Sequence, residues 1–186
     1  YKRQLSEWVD SLIVIPNEKL SEVFGDDNSI FNAFEKANDV LRGAVKGIAE
    51  IITIRGFINV DFADVKTVMH NMGDAIMGTG IAMGEEKAIL AAQQAINSPL
   101  LQNASIQGAK GLLINITGGK DLTLFEVDQV VNKIRAEVDP EAELIFGAIK
   151  DENMNGKIRV SIVATALDGH KSNSNTVLNM VSRIHN

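Results

Sequence analysis

The sequence predicts an α/β protein in which a long central helix leads into a two-layer domain with a four-stranded mixed sheet and covering helices. Three observations carry that prediction. Apolar residues recur every three or four positions from Ile30 to Ile51, the period of one face of a helix. Beyond Gly73, short apolar runs alternate with helix-period segments, as they do in a sheet with helices packed on it. The composition, 45% hydrophobic and 23% charged over 186 residues, is that of a folded globular chain.

The first element is the apolar run Ser11 to Ile15, closed by Pro16 and Asn17, which reads as a buried strand ending in a turn. Asn17 is placed to cap a short helix from Glu18 to Phe24 before Gly25-Asp26-Asp27-Asn28 breaks the chain. Ser29 is the expected cap of the central helix, whose apolar face carries Ile30, Phe34, Ala37, Leu41, Ala44, Ile48 and Ile51 and runs to about Ile54. About 25 residues at roughly 1.5 Å each make a rod near 37 Å, long enough to act as a strut between two domains. Gly43 and Gly47 sit inside it, where each costs about 1 kcal/mol against alanine. Close approach of a neighbouring element or a binding cleft accounts for them, and the two readings are compatible.

After a further helix ending at Gly73, the expected elements are strand Ala75 to Ala82, helix Glu85 to Asn97, strand Gly111 to Thr117, helix Leu124 to Val138, strand Glu143 to Ile149 and strand Lys157 to Ala166. Asp151 to Gly156 carries hairpin-type turn residues, so the last two strands are expected to form an antiparallel pair. Gly78-Thr79-Gly80 lies in a strand and lacks the extended glycine run of a phosphate loop, which makes it structural. Residues 169–186 read as a polar tail. Within it, Val177, Leu178, Met180, Val181 and Ile184 have the spacing of a short docking helix.

Composition also excludes functions. A net charge of -6 and a pI near 5.1 give no general basic surface for a nucleic-acid backbone. No apolar run approaches the roughly 18 residues a membrane-spanning helix needs, so direct membrane insertion is not expected. Zero cysteines exclude disulfides and thiolate metal sites and fit a reducing cytoplasm. His70, His170 and His185 are too scattered for a local metal motif and read as surface or boundary residues. The chain opens at Tyr1 with neither an initiator methionine nor a signal-peptide pattern, and the expectation is that a segment lies upstream.

The most informative stretch is Gly56 to Met69, G-F-I-N-V-D-F-A-D-V-K-T-V-M. It sets Asn59, Asp61 and Asp64 at the mouth of a helix, with apolar Val65, Val68, Met69 and Met72 behind at helical spacing. Asp61 followed by Asp64 is also what an N-cap with an acidic first turn looks like, and the spacing alone does not imply catalysis. In that reading Asp61 caps while Asp64, one turn in, faces solvent.

The full string N-V-D-F-A-D-V, however, resembles the loop of the FtsZ family, the bacterial tubulin-like cell-division GTPases. The similarity extends over Asp10 to Asn17, Ala37 to Ile48, Met77 to Gly80, Ile96 to Leu101, Leu113 to Gly119 and Val160 to Thr165. About the first 168 residues look like the C-terminal half of that family. The resemblance implies the fold of the tubulin/FtsZ C-terminal domain, with residues 1–28 a remnant of an N-terminal nucleotide-binding domain, 29–54 a central interdomain helix and 55–168 a domain bearing the catalytic loop. It implies head-to-tail filaments with self, in which Asn59, Asp61 and Asp64 enter the next subunit's GTP site. There Asp61 and Asp64 would orient and polarise the attacking water and Asn59 would help hold the phosphate end, with Mg²⁺ as counter-charge.

By position, Phe34 would stack on the guanine and Asn38 would hydrogen-bond its edge, although a core role for Phe34 is the plainer reading of that residue alone. The family's glycine-rich phosphate loop, of G-G-G-T-G-[ST]-G type, has no counterpart here. The missing N-terminal GTP-binding half would hold most of the nucleotide, and this chain alone is expected to bind no GTP, GDP or Mg²⁺ and to be inactive. Residues 169–186 contain no D-x-P-x-F-like peptide of the kind that recruits membrane-anchoring partners in the family, although other division proteins remain expected partners. The resemblance further implies a cytoplasmic protein of the midcell division ring, acting in septation. A non-catalytic interaction domain that caps such filaments is the alternative, and an unrelated small-molecule-binding α/β domain is a third reading.

Overall fold

The computed structural model describes residues 1–15, 30–101 and 106–165, leaving aside the side chains of 30–34, 36, 37, 40 and 44. In chain order the elements are α1 (Lys2–Ser6), β1 (Ser11–Ile13), α2 (Ile30–Thr53), α3 (Phe62–Met69), β2 (Gly73–Met83), α4 (Lys87–Ile96), β3 (Gly111–Gly118), α5 (Leu124–Arg135), β4 (Glu143–Lys150) and β5 (Lys157–Thr165). The helix expected at Glu18 to Phe24, the Ser29 cap and the tail 169–186 lie outside the described residues.

The strands form one mixed sheet in the order β1-β2-β5-β3-β4. β1 runs parallel to β2 and β3 parallel to β4, while β5 is antiparallel to both of its neighbours, β2 and β3. The α/β class and the mixed sheet are as expected, but among the described residues the strand count is five rather than four. Ser11, Leu12 and Ile13 pair with Gly73, Asp74 and Ala75, so the first apolar run adds to this sheet. The last two strands are antiparallel in direction but do not pair, because β3 lies between them. Every residue of β3 is buried, and a strand apolar on both faces needs a neighbour on each edge and a cover on each side. The turn at 151–156 only reverses the chain.

Helices cover both faces. On one, Ala88, Ala91, Ala92 and Ala95 of α4 and Val127, Val130 and Ile134 of α5 pack on Leu112, Ile114, Ile116, Val160 and Ile162. On the other, Ile51 of α2 with Val65 and Val68 of α3 packs on Met77, Leu113, Ile149 and Val163. The glycines of Gly78-Thr79-Gly80 permit close helix-on-strand contact: a Cβ at Gly78 would lie 2.3 Å from the Ala95 carbonyl oxygen and one at Gly80 2.2 Å from that of Ala91. The structural reading of that motif therefore stands.

The two helix glycines divide between the readings offered for them. Gly47 is in close contact, its carbonyl accepting from Asn115 Nδ2 at 3.1 Å. Gly43 instead faces open space, lining a cleft of about 700 Å³ between α2 and the sheet.

Candidate functional site

The acidic loop runs from Gly56 to Asp61 between α2 and α3, and β4 fixes its height. The Phe57 and Ile58 N–H groups both donate to the Ala148 carbonyl, at 2.9 and 3.3 Å, and Ala148 N–H donates back to Ile58 O at 3.0 Å. The chain can lie this close only because residue 56 is glycine: a Cβ there would sit 2.2 Å from Ala148 O. Beyond this anchor Val60 is buried and its N–H reaches Ile51 O at 3.4 Å, tying the loop to the end of α2.

All three candidate residues are exposed and lie together. Asn59 Oδ1 accepts the Gly56 N–H at 2.8 Å. Asp61 Oδ1 accepts the Asp64 N–H at 2.9 Å, and Asp64 Oδ2 accepts the Asp61 N–H at 3.2 Å, which completes a reciprocal capping box at the start of α3. Asp64 thus does more than face solvent, because it shares the cap. Each carboxylate spends one oxygen on backbone, and no cation of the described residues pairs with either side chain. The helix N-terminus favours both negative charges.

Phe34 and Asn38 lie elsewhere. Both are in the first half of α2, and the exposed Asn38 is separated from Thr53 by 15 residues of helix, about 22 Å at 1.5 Å per residue. The acidic loop begins only beyond that end, so the two candidate groups do not meet within one chain. Nothing is described of the Phe34 side chain. His70 is exposed and pairs with Asp10 at 2.6 Å, a surface residue within the expectation.

Three features of this end of the molecule were not anticipated. Phe57 and Phe62 flank the acidic residues, and Leu124 and Phe125 open α5 at the same end of the sheet, the C-terminal end of β3 and β4. These four apolar side chains are 60% to 75% exposed. Next, Lys87 at the start of α4 is buried, with its ammonium against the Asp121 carboxylate and 3.4 Å from Glu126. The hydrogen bond of Asp121, with the charges of Glu126 and Asp121, holds the Lys87 pKa above its ordinary value, burial notwithstanding, and the hydrogen bond of Lys87 in turn holds Asp121 below its own. Finally, a second capping box joins Thr123 and Glu126 at the start of α5. Only that last feature had a readable signal, the T-x-x-E spacing ahead of an apolar run.

A family model described as the FtsZ family, C-terminal domain, matches residues 73–168, just over half of the chain. The chain belongs to the FtsZ family. It is 54% identical over 164 residues to the cell division protein FtsZ of Magnetospirillum gryphiswaldense, an overlap of 88% of this chain and 29% of that relative. The solved FtsZ dimer of M. jannaschii superposes with a TM-score of 0.83 at 47% identity, covering 88% of this chain and 47% of that one. At 12% identity, CetZ2 from Haloferax volcanii, solved as a GTPγS-bound protofilament, shares the fold with a TM-score of 0.69 over 98% of this chain and 54% of that one. The chain thus spans about half or less of the length of these proteins. Among the described residues no helix is long and apolar enough to cross a membrane.

Proposed function

We propose that this chain is the catalytic-loop half of a filament-forming cell-division GTPase, supplying Asn59, Asp61 and Asp64 to the nucleotide site of an adjacent subunit. The observation that carries the reading is the shape of the acidic loop. Two exposed carboxylates are each tied to backbone through one oxygen, in a region that also exposes large apolar side chains. Phosphoryl transfer is catalysed mainly by positioning and by stabilising dispersed charge. A pair of carboxylates fixed before the partner arrives suits the positioning of an attacking water.

These exposed apolar side chains suit docking. A phenylalanine, as at three of these four positions, buries about 150–250 Å². The four together, at this exposure, offer on the order of 400–600 Å², a large part of the roughly 800 Å² per partner that a stable interface buries. The occupant is a second copy: the M. jannaschii relative was solved as a dimer, and a face that docks on a different surface of the next subunit propagates as a filament. In this reading Phe34 and Asn38 serve the chain's own nucleotide, the phosphates and Mg²⁺ lie with residues outside these 186, and the isolated chain is inactive.

The test is Asp64→Asn in the full-length polypeptide. Asparagine keeps the side-chain acceptor for the Asp61 N–H, so the cap survives while the charge is lost. GTP binding and assembly are expected to persist, with hydrolysis slowed about 10²-fold or more. Wild-type turnover in Asp64→Asn filaments would reduce Asp64 to a capping residue.

A further inference from the structure

Lys87 is an expensive residue where it stands. It is the first residue of α4, at the positive end of the helix dipole, and its side chain is only 8% exposed. Its two carboxylates come from the β3–α5 connection, Asp121, and from the first turn of α5, Glu126. Each carboxylate passes the tether on. Asp121 Oδ1 accepts the Gly156 N–H at 3.1 Å, reaching the β4–β5 connection. Glu126 Oε2 accepts the Thr123 N–H at 2.9 Å, and Thr123 Oγ accepts the Glu126 N–H at 3.2 Å. A parallel bond joins the same two connections, from Lys120 N–H to Asn155 Oδ1 at 3.0 Å. One ammonium thus ties together α4, the start of α5 and both loops at this end of the sheet.

We propose that Lys87 is a positioning residue for subunit docking: through Asp121 and Glu126 it holds the start of α5 so that Leu124 and Phe125 meet the neighbouring subunit in register with the acidic loop. This rests on the docking role of that face. A purely stabilising role is a poor account of the cluster, because replacing a buried ion pair by apolar side chains is often neutral or stabilising. Asp121, 42% exposed, can also turn to water if Lys87 is removed. What an apolar residue cannot reproduce is the directional link from α4 to two separate loops.

Lys87→Met separates the roles, since it keeps the length of the side chain and removes the charge. In the 186-residue chain, amide exchange at Gly156, Thr123 and Glu126 is expected to accelerate tenfold or more, while exchange within β3 and the β3–β4 ladder stays within about twofold. In the full-length polypeptide, the critical concentration for pelleting is expected to rise at least fivefold with nucleotide affinity unchanged. Lys87→Arg should restore both. Asp121→Asn, which keeps an acceptor for Gly156, is the second variant and should reproduce the assembly defect if Lys87→Met does not fold. Unchanged exchange at these amides, or a uniform acceleration across the sheet, overturns the latch. Unchanged pelleting overturns its role in docking, whereas a wild-type polypeptide that never pellets instead overturns the docking role of the face.

Discussion

Gly56→Ala tests whether the acidic loop acts through its height above β4. The added Cβ would lie 2.2 Å from Ala148 O, 3.1 Å from Ala148 C and 3.2 Å from Ile149 Cα, whereas carbon–oxygen contacts settle at roughly 3.3 Å, so about 1 Å of movement is required. Ala148 is held in the ladder between β4 and β3, so the loop yields rather than the strand. That movement breaks or stretches the three hydrogen bonds between Ala148 and Phe57 or Ile58. At about 1 kcal/mol net for each bond, with some relief by relaxation, the cost is roughly 2–4 kcal/mol. For a chain of this size that lowers the melting temperature by roughly 5–15 °C. The carboxylates and their cap are untouched, but a 1 Å displacement of a positioned group can cost about 10²-fold in rate. The assay pairs a thermal melt with turnover per assembled subunit. A variant melting within about 2 °C of wild type would refute the packing argument, and a destabilised variant with normal turnover would refute the link between loop height and chemistry.

The Lys87 cluster also sets a pH window for stability. Asp121 has its pKa lowered below the ordinary 3.8, so its contribution is present above that value and is lost as pH falls through the folded pKa; Lys87, raised above 10.5, contributes below that value and loses its share as pH rises through its own folded pKa. Melts from acid to alkaline pH should show a plateau between these limits, and Asp121→Asn should flatten the acid limb; an unchanged acid limb would remove Asp121 from the account. The isolated chain should also inhibit assembly of the full-length polypeptide by docking on one filament end and offering the next subunit no phosphate site, and unchanged pelleted mass at equimolar folded chain would rule this out.

What the sequence made legible was what local physics decides. The central helix, expected from Ser29 to about Ile54, spans Ile30–Thr53, because a long apolar stripe at helical period has few alternatives. The strands of the sheet lie within two residues of expectation because each is a short apolar run bounded by turn residues. Strand neighbours were not legible: the turn residues at 151–156 specify a reversal, but the partner of β5 follows from which strand must be buried on both faces, a property of the whole core. Ser11–Ile13 showed its apolar character but not the sheet it would join. Lys87 was hidden more completely. Following Glu85 and Glu86 it reads as part of a charged, solvated helix start, and only the return of the chain at Asp121 and Glu126 encloses it.

In the acidic loop the geometry makes a capping and a catalytic role compatible. A carboxylate that is free to rotate must be ordered when substrate arrives, at a cost in side-chain entropy. Asp61 and Asp64 meet that cost during folding, since each fixes the other through the first turn of α3. The two oxygens left over then have a defined spacing before any neighbour docks. On the proposed roles, the residues that would meet the chain's own guanine lie on the far half of α2, about 22 Å of helix away, too far to share a nucleotide with that loop. Such a chain would complete another's site rather than its own, and because the donor and acceptor faces would differ, repetition would give an open filament rather than a closed pair. Coupling of hydrolysis to assembly would then follow from the length of one helix and the rigidity of one cap.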